Sequence, residues 1–216
     1  MIIKADRLYM CTRFYIEKDA PVLIEFMNKA AGSELARRIT VSKCRPMKIS
    51  GEIKPTDIVT VIAPDKKGNR AVYPMSWGFT LPNSNKPVVN ARTETASSKP
   101  MFKDSWSSRR CIIPASWYYE WKHLKSSDGR VKTGDKYMIQ PEGSEVTWLC
   151  GLYRIEEGFP VFTVLTREPS DELSEIHDRM PLILPEDKID EWIYPGTKAE
   201  AMLKYALTSM IFEKEC

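Results

Sequence analysis

From Val41 to about Leu165 the chain is a succession of short β-type runs: Ile58–Ile62, Val72–Trp77, Arg110–Ile113, Trp117–Trp121, Tyr137–Ile139, Val146–Tyr153 and Val161–Leu165. Pro, Gly, Asn and Ser punctuate them, as turns require. Helical patterns lie outside this block. Asp19-Ala20-Pro21 reads as a helix start with Asp as cap, followed by Val22, Leu23, Phe26, Met27 and Ala30 at helical spacing up to Gly32. Beyond Arg167, Ser170 is placed to cap a short helix through Ile176, and Pro185 to open Glu186–Ile193. Thr197 with Glu200 has the form of a capping box ahead of Met202, Leu203 and Ala206. Strands massed centrally with helices at both ends predict an α+β fold in one domain, its sheets mainly antiparallel and without βαβ alternation. The polar stretch Leu124–Asp135 is expected at an exposed hairpin tip.

Composition narrows the chemistry. With 216 residues, 43% hydrophobic and 28% charged, the chain has enough apolar material for a sizeable core. The balance of 32 basic against 29 acidic residues leaves +3, so any phosphate binding depends on how the charges cluster. Five cysteines (Cys11, Cys44, Cys111, Cys150, Cys216) form no CxxC and no even framework, which points to a reducing compartment. Two histidines and no HExxH argue against a His-rich metal site. Glycine-rich phosphate loops and a GxSxG elbow are absent from the sequence. The first ten residues carry Lys4, Asp6 and Arg7 and no apolar signal core, and no run approaches a membrane span, so a cytoplasmic protein is expected.

Four segments combine reactive groups with Arg and aromatics: Met10–Arg13, Asn90–Thr95, Tyr118–Trp121 and His177–Pro181. Cys11 reads either as a small buried hydrophobe or, if Met10 is removed, as an N-terminal 1,2-aminothiol. Such a group condenses with an aldehyde to a thiazolidine, the amine forming a Schiff base that the thiol then closes. Glu120, in a run of Trp and Tyr, is either an edge carboxylate paired with a cation or a desolvated one suited to proton transfer. Strand alternation puts Tyr118, Glu120 and Lys122 on one face. His177 is the leading acid/base candidate, and His123, beside the polar loop, reads as ordinary surface. Arg13, Arg92 and Arg179 either form ion pairs with Glu94 or Asp178 or contact phosphates. Trp77 and Trp121 are either core or stacking platforms for bases.

In this order the segments resemble the SOS-response-associated peptidase (SRAP) family, also called abasic-site processing proteins. The matching stretches are Met10–Phe14, Trp77-Gly78-Phe79, Asn90–Thr95, Arg109–Ala115, Tyr119-Glu120-Trp121 and His177–Leu184. The resemblance implies a mixed α+β fold around a basic, aromatic-lined groove for single-stranded DNA. There the N-terminal Cys bonds covalently to the ring-opened aldehyde of an abasic site and shields the lesion. Carried over to this sequence, Cys11 is the nucleophile. Asn90 holds the sugar and the N-terminus, Glu120 is the acid/base of Schiff-base formation and reversal, and His177 moves protons during ring opening and strand cleavage. Arg13, Arg92 and Arg179 are expected to contact DNA, with Trp77 and Trp121 beside it. The family's peptidase name reflects a proposed self-removal of residues ahead of the Cys.

Two positions depart from the family pattern: Thr12 stands where Gly is usual, and Ser116-Trp117-Tyr118 precedes Glu120 where Gly-Phe is usual. The domain is expected over residues 10–210, behind an extension of residues 1–9 that is a misplaced start or is removed. The expected activity is DNA repair by crosslinking, with lyase-like chemistry. The alternatives are a thiol autopeptidase built on Cys11, Glu120 and His177, and a non-catalytic module for single strands. The expected partner is single-stranded DNA with abasic sites. No metal or organic cofactor is implied, a monomer is expected, and location is cytoplasmic with nucleoid association during DNA damage.

Overall fold

The computed structural model describes residues 12–125 and 131–215. Cys11, the expected extension (1–9), Cys216 and the tip of the 124–135 hairpin lie outside the described residues. In chain order the elements are β1 (Arg13–Ile16), α1 (Pro21–Ala31), α2 (Glu34–Lys43), β2 (Gly51–Ile53), β3 (Ile58–Pro64), β4 (Arg70–Trp77), β5 (Phe79–Leu81), β6 (Ser84–Val88) and β7 (Asn90–Arg92). Then come α3 (Thr93–Ala96), α4 (Lys103–Ser108), β8 (Arg110–Ala115), β9 (Trp117–Lys125), β10 (Val131–Pro141), β11 (Thr147–Glu156) and β12 (Phe159–Arg167). The chain ends with α5 (Asp171–Ser174), β13 (Met180–Pro181), a 3-10 turn leading into α6 (Ile189–Ile193), α7 (Ala199–Met202) and β14 (Met210–Lys214).

Strands β11, β8, β3, β4 and β12 pair in that order, and β12 pairs back onto β11, closing a barrel. Its strands are covered on both faces, so β3, β8, β11 and β12 read as nearly unbroken apolar runs. A second sheet, β14-β10-β9-β1-β2, lies beside it. Phe14, Tyr118 and Ile139 from that sheet and Val61, Ile112 and Phe162 from the barrel share one core, so the α+β single domain is as expected. Pairing is antiparallel except where β12 meets β4 and β7, which run parallel to it.

Several expectations are corrected. The β-type zone does not begin at Val41, because α2 runs to Lys43; Ser33 caps it, its Oγ accepting from Ala36 N at 3.1 Å. Helices α3 and α4 interrupt the strand block, and strands β1 and β14 stand outside it. Ala20, not Asp19, is the N-cap of α1, with no side-chain cap bond. The helix after Ser170 stops at Ser174. The Thr197–Glu200 capping box does not form: Glu200 instead accepts from Trp106 Nε1 at 2.6 Å, and the Thr197 carbonyl accepts from Arg110.

That arginine is a structural clamp. Arg110, 1% exposed, donates to the carbonyls of Trp106, Ser107, Trp192, Tyr194 and Thr197 at 2.6–2.9 Å. One guanidinium thereby closes the end of α4 and anchors the segment after α6 to β8. Gly78 is required twice over. Its φ of +118° suits Gly alone, and a Cβ there would stand 2.5 Å from Pro87 Cβ. The close approach packs β6, with Lys86 and Pro87, against the end of β4.

Candidate functional site

Strand β9 leaves the core at Tyr118 and runs outward past Glu120 and His123. Its tyrosine–glutamate stretch pairs with β1 on one side (Arg13↔Tyr119) and β10 on the other (Glu120↔Tyr137). Glu120 is buried, 2% exposed. Opposite it stands His177, 3% exposed, on the turn that follows α5, with Nε2 3.8 Å from Glu120 Oε2. Nδ1 of His177 lies 3.0 Å from the Arg179 N–H, 3.1 Å from the Arg179 carbonyl and 3.2 Å from Asp178 Oδ1, so it meets a donor in one tautomer and acceptors in the other. The His123 ring packs on the His177 ring, centroids 3.9 Å apart. Burial first, and His123 second, push His177 down to about 4, against the pull of Asp178 and the Arg179 carbonyl. At neutral pH the ring is therefore uncharged. Two buried acid/base groups thus face each other across a gap that a substrate oxygen or amine can bridge.

A second cluster adjoins the first through Arg179. Its guanidinium forks onto Glu94 with two bonds of 2.8 Å and also donates to the Thr166 carbonyl. Burial would raise the Glu94 carboxyl, but these bonds hold it below the ordinary range. Of the two readings of Arg179, the ion pair is the one present. Arg92 at the end of β7 is exposed, and Asn90 begins β7, aligned with Val164 of β12. The motif Asn90–Thr95 and the motif His177–Pro181 therefore meet along β12.

The third part is a cleft. A cavity of about 340 Å³ is lined by Thr12, Arg13, Pro55, Lys86, Pro87 and Val89. It shares Lys86 and Pro87 with another of about 270 Å³ that passes Lys43, Arg45, Thr80 and Asn85. Arg13 is half-buried and pairs with Glu52 at 3.2 Å. Trp121 is half-buried beside Lys136, whose Nζ lies 3.6 Å from the Tyr119 ring centroid and 5.7 Å from that of Trp121. Trp77 is 1% exposed: it stacks on Phe162, donates Nε1–H to the Val89 carbonyl, and presents no face to solvent.

Cys111 and Cys150 are buried, and burial pushes both thiols well up, so neither is a nucleophile at neutral pH. His123, His177 and Asp178 bring potential ligand atoms within 4.8 Å of one another. Sequence reasoning missed His123, which is half-buried against His177 and not ordinary surface. It also missed Lys86; a cation next to Pro in the short two-stranded β5–β6 sheet carries no signature of its own. No helix of the described residues is long and apolar enough to cross a membrane.

Comparison with known proteins places these features. The family model described as SOS response associated peptidase (SRAP) matches residues 10–214. The abasic site processing protein YoaM of Bacillus subtilis is 35% identical over 168 residues, 73% of this chain and 71% of the relative. YoqW of the same organism, also named an abasic site processing protein, is 32% identical over 196 residues, covering 86% and 81%. Among solved structures, a phage-related protein from Bordetella bronchiseptica superposes with a TM-score of 0.66 at 21% identity, covering 95% of this chain and 94% of that one.

Proposed function

The chain belongs to the SRAP family, and on that premise we propose that it processes abasic sites in single-stranded DNA by bonding covalently to them through Cys11. The observation that carries the reading is the buried Glu120–His177 pair, set beside the strand through which the chain leaves Cys11. Arg13, two residues after Cys11, pairs with Tyr119, the neighbour of Glu120. The family match begins at residue 10, which supports a working chain that starts at Cys11 after loss of residues 1–10.

In this reading the α-amine of Cys11 attacks the C1′ aldehyde of the ring-opened sugar. The carbinolamine loses water to give a Schiff base, and the thiol adds to its carbon to close the thiazolidine. One water leaves for each adduct. Glu120 moves the protons of carbinolamine dehydration and of reversal. His177, neutral at working pH, donates a hydrogen bond from Nε2 to the sugar oxygen during ring opening. Asn90 holds the sugar. Arg92 and Arg13 meet phosphates, with Lys86 continuing the basic cleft. Trp121 offers a stacking face, whereas Trp77 supports the cleft from within, and Arg179 acts by fixing Glu94 and the His177 turn. Strand cleavage, a monomeric state and a place in the cytoplasm or nucleoid belong to the same reading.

The test is adduct formation on a single-stranded oligonucleotide with one abasic site. The reading expects a product that survives denaturation, is lost in C11A, and forms about 10²–10⁴-fold more slowly in E120Q. Full adduct yield in C11A would end it.

A further inference from the structure

The pairing of β1 with β9 begins at Arg13, opposite Tyr119, so Thr12, which follows the nucleophile, stands ahead of the ladder. We propose that Arg13 and Glu52 are positioning residues for Cys11: the Glu52 carboxylate braces the Arg13 guanidinium, and Arg13 in turn holds the Thr12 carbonyl, which sets the direction in which the chain presents Cys11 to Glu120. The proposal rests on the role given to Cys11 above and adds how a nucleophile ahead of the sheet is kept in register with Glu120.

Register places the pair. Glu52 stands opposite Tyr15 across β1 and β2, and Arg13, two residues from Tyr15, shares its face. The two side chains are therefore diagonal neighbours, while Phe14 and Ile53 turn into the core. Arg13 Nε lies 3.2 Å from Glu52 Oε1, and Arg13 Nη1 donates to the Thr12 carbonyl at 2.7 Å. The carboxylate is tied at its other oxygen as well. Lys136 Nζ donates to Oε2 at 2.9 Å, and that lysine is fixed by Glu215 at 2.6 Å and by the Tyr119 ring, 3.6 Å from its centroid. Lys48 Nζ meets the Glu52 carbonyl at 3.1 Å. Lys54 shares Oε1 at 3.5 Å, but its side chain is 54% exposed and water weakens its claim. Burial opposes the charge on Glu52, yet Lys136 and Lys54 outweigh it and hold the carboxyl below its ordinary value, so the brace is charged at neutral pH. With Nε and Nη1 engaged, the guanidinium keeps further N–H donors for a phosphate, and the two tasks use different atoms. A chain end frays unless it is tied down, and displacing a reacting group by about 1 Å can cost about 10²-fold in rate.

The experiment separates binding from reaction in the full chain. It measures affinity for an intact single strand by fluorescence anisotropy, and the first-order adduct rate on a saturating strand of the same sequence with one abasic site. The wild type is expected to form the adduct. R13K, which keeps the charge but lacks the fork that spans Glu52 and the Thr12 carbonyl, should bind the intact strand within about threefold of the wild type and react at least about tenfold more slowly. E52Q should bind as tightly or more tightly, since a negative charge leaves a basic cleft, and react about tenfold more slowly. Because both residues act through one contact, the double variant E52Q/R13K should be no slower than R13K alone. An unchanged rate or lost intact-strand binding in E52Q, losses that multiply in the double variant, or an R13K defect confined to affinity overturns the proposal. A wild type that forms no adduct overturns the reading of Cys11 and the proposal with it, whereas variants that react as fast as a reactive wild type overturn the proposal alone.

Discussion

Arg179 and Glu94, 85 residues apart, form a two-bonded ion pair that locks the turn carrying His177 to the segment carrying Asn90 and Arg92. A lysine cannot reproduce that fork. R179K should keep the fold, at a cost of about 1–2 kcal/mol in urea titration, and still slow the adduct reaction by tenfold or more. An R179K enzyme with wild-type rate would show that the pair serves stability alone. Because the Glu94 carboxyl is depressed when folded, the pair's contribution is present above the ordinary carboxylate range and is lost as pH falls through the lower folded value. E94Q should flatten that part of the acid stability profile.

His177 acts with the same sign in a higher pH window. Its folded value of about 4 lies below the ordinary 6.5, so between those values the unfolded chain binds more protons than the native one. Stability therefore falls as pH drops from about 6.5 to about 4, and levels off below. H177F should remove this slope while leaving stability at pH 8 within about 1 kcal/mol. Urea midpoints measured at pH 8, 6 and 4.5 check it; parallel profiles in both proteins would contradict it.

Arg110 satisfies five backbone carbonyls at once, with no carboxylate in the set. R110M should cost about 3–5 kcal/mol, because the carbonyls are left buried and unpaired. Limited proteolysis should then cut first after α6, where the clamp holds Tyr194 and Thr197. A loss below about 1 kcal/mol would mean that water replaces the guanidinium.

Arg13 and Lys86 line the same cavity, together with Thr12 and Pro87. If both meet phosphates, each change to Gln should lower the salt dependence of single-strand binding, log K against log salt, by about 0.7. The double variant should lower it by about twice that. Unchanged slopes would move the strand path elsewhere.

The strands of the barrel were legible because they are covered on both faces, and nearly unbroken apolar runs such as Ile58–Ile62 survive any choice of partner, whereas the closure of β12 onto β11 was not read from the sequence. Helix α2 was not. Its Ile39-Thr40-Val41 stretch carries β-type residues, and only the Ser33 cap and the burial of Ala36 and Ile39 decide for helix. The four-residue strand β1 is too short to announce itself and exists because β2 and β9 flank it. The site motifs were legible as motifs, but their state was not. Residue type does not say that Trp77 is sealed into the core while Trp121 is half-exposed, or that the Arg179 guanidinium is taken by Glu94. His123 went unnoticed because its meaning lies in a contact with a distant residue, and no local pattern encodes that.

The central claim is the aminothiol of Cys11, and the intact mass of the purified protein before and after exposure to an abasic single-stranded oligonucleotide tests it most directly. The account predicts a chain beginning at Cys11 that gains the mass of the oligonucleotide less one water. A chain that keeps Met1–Met10 and gains nothing would contradict it.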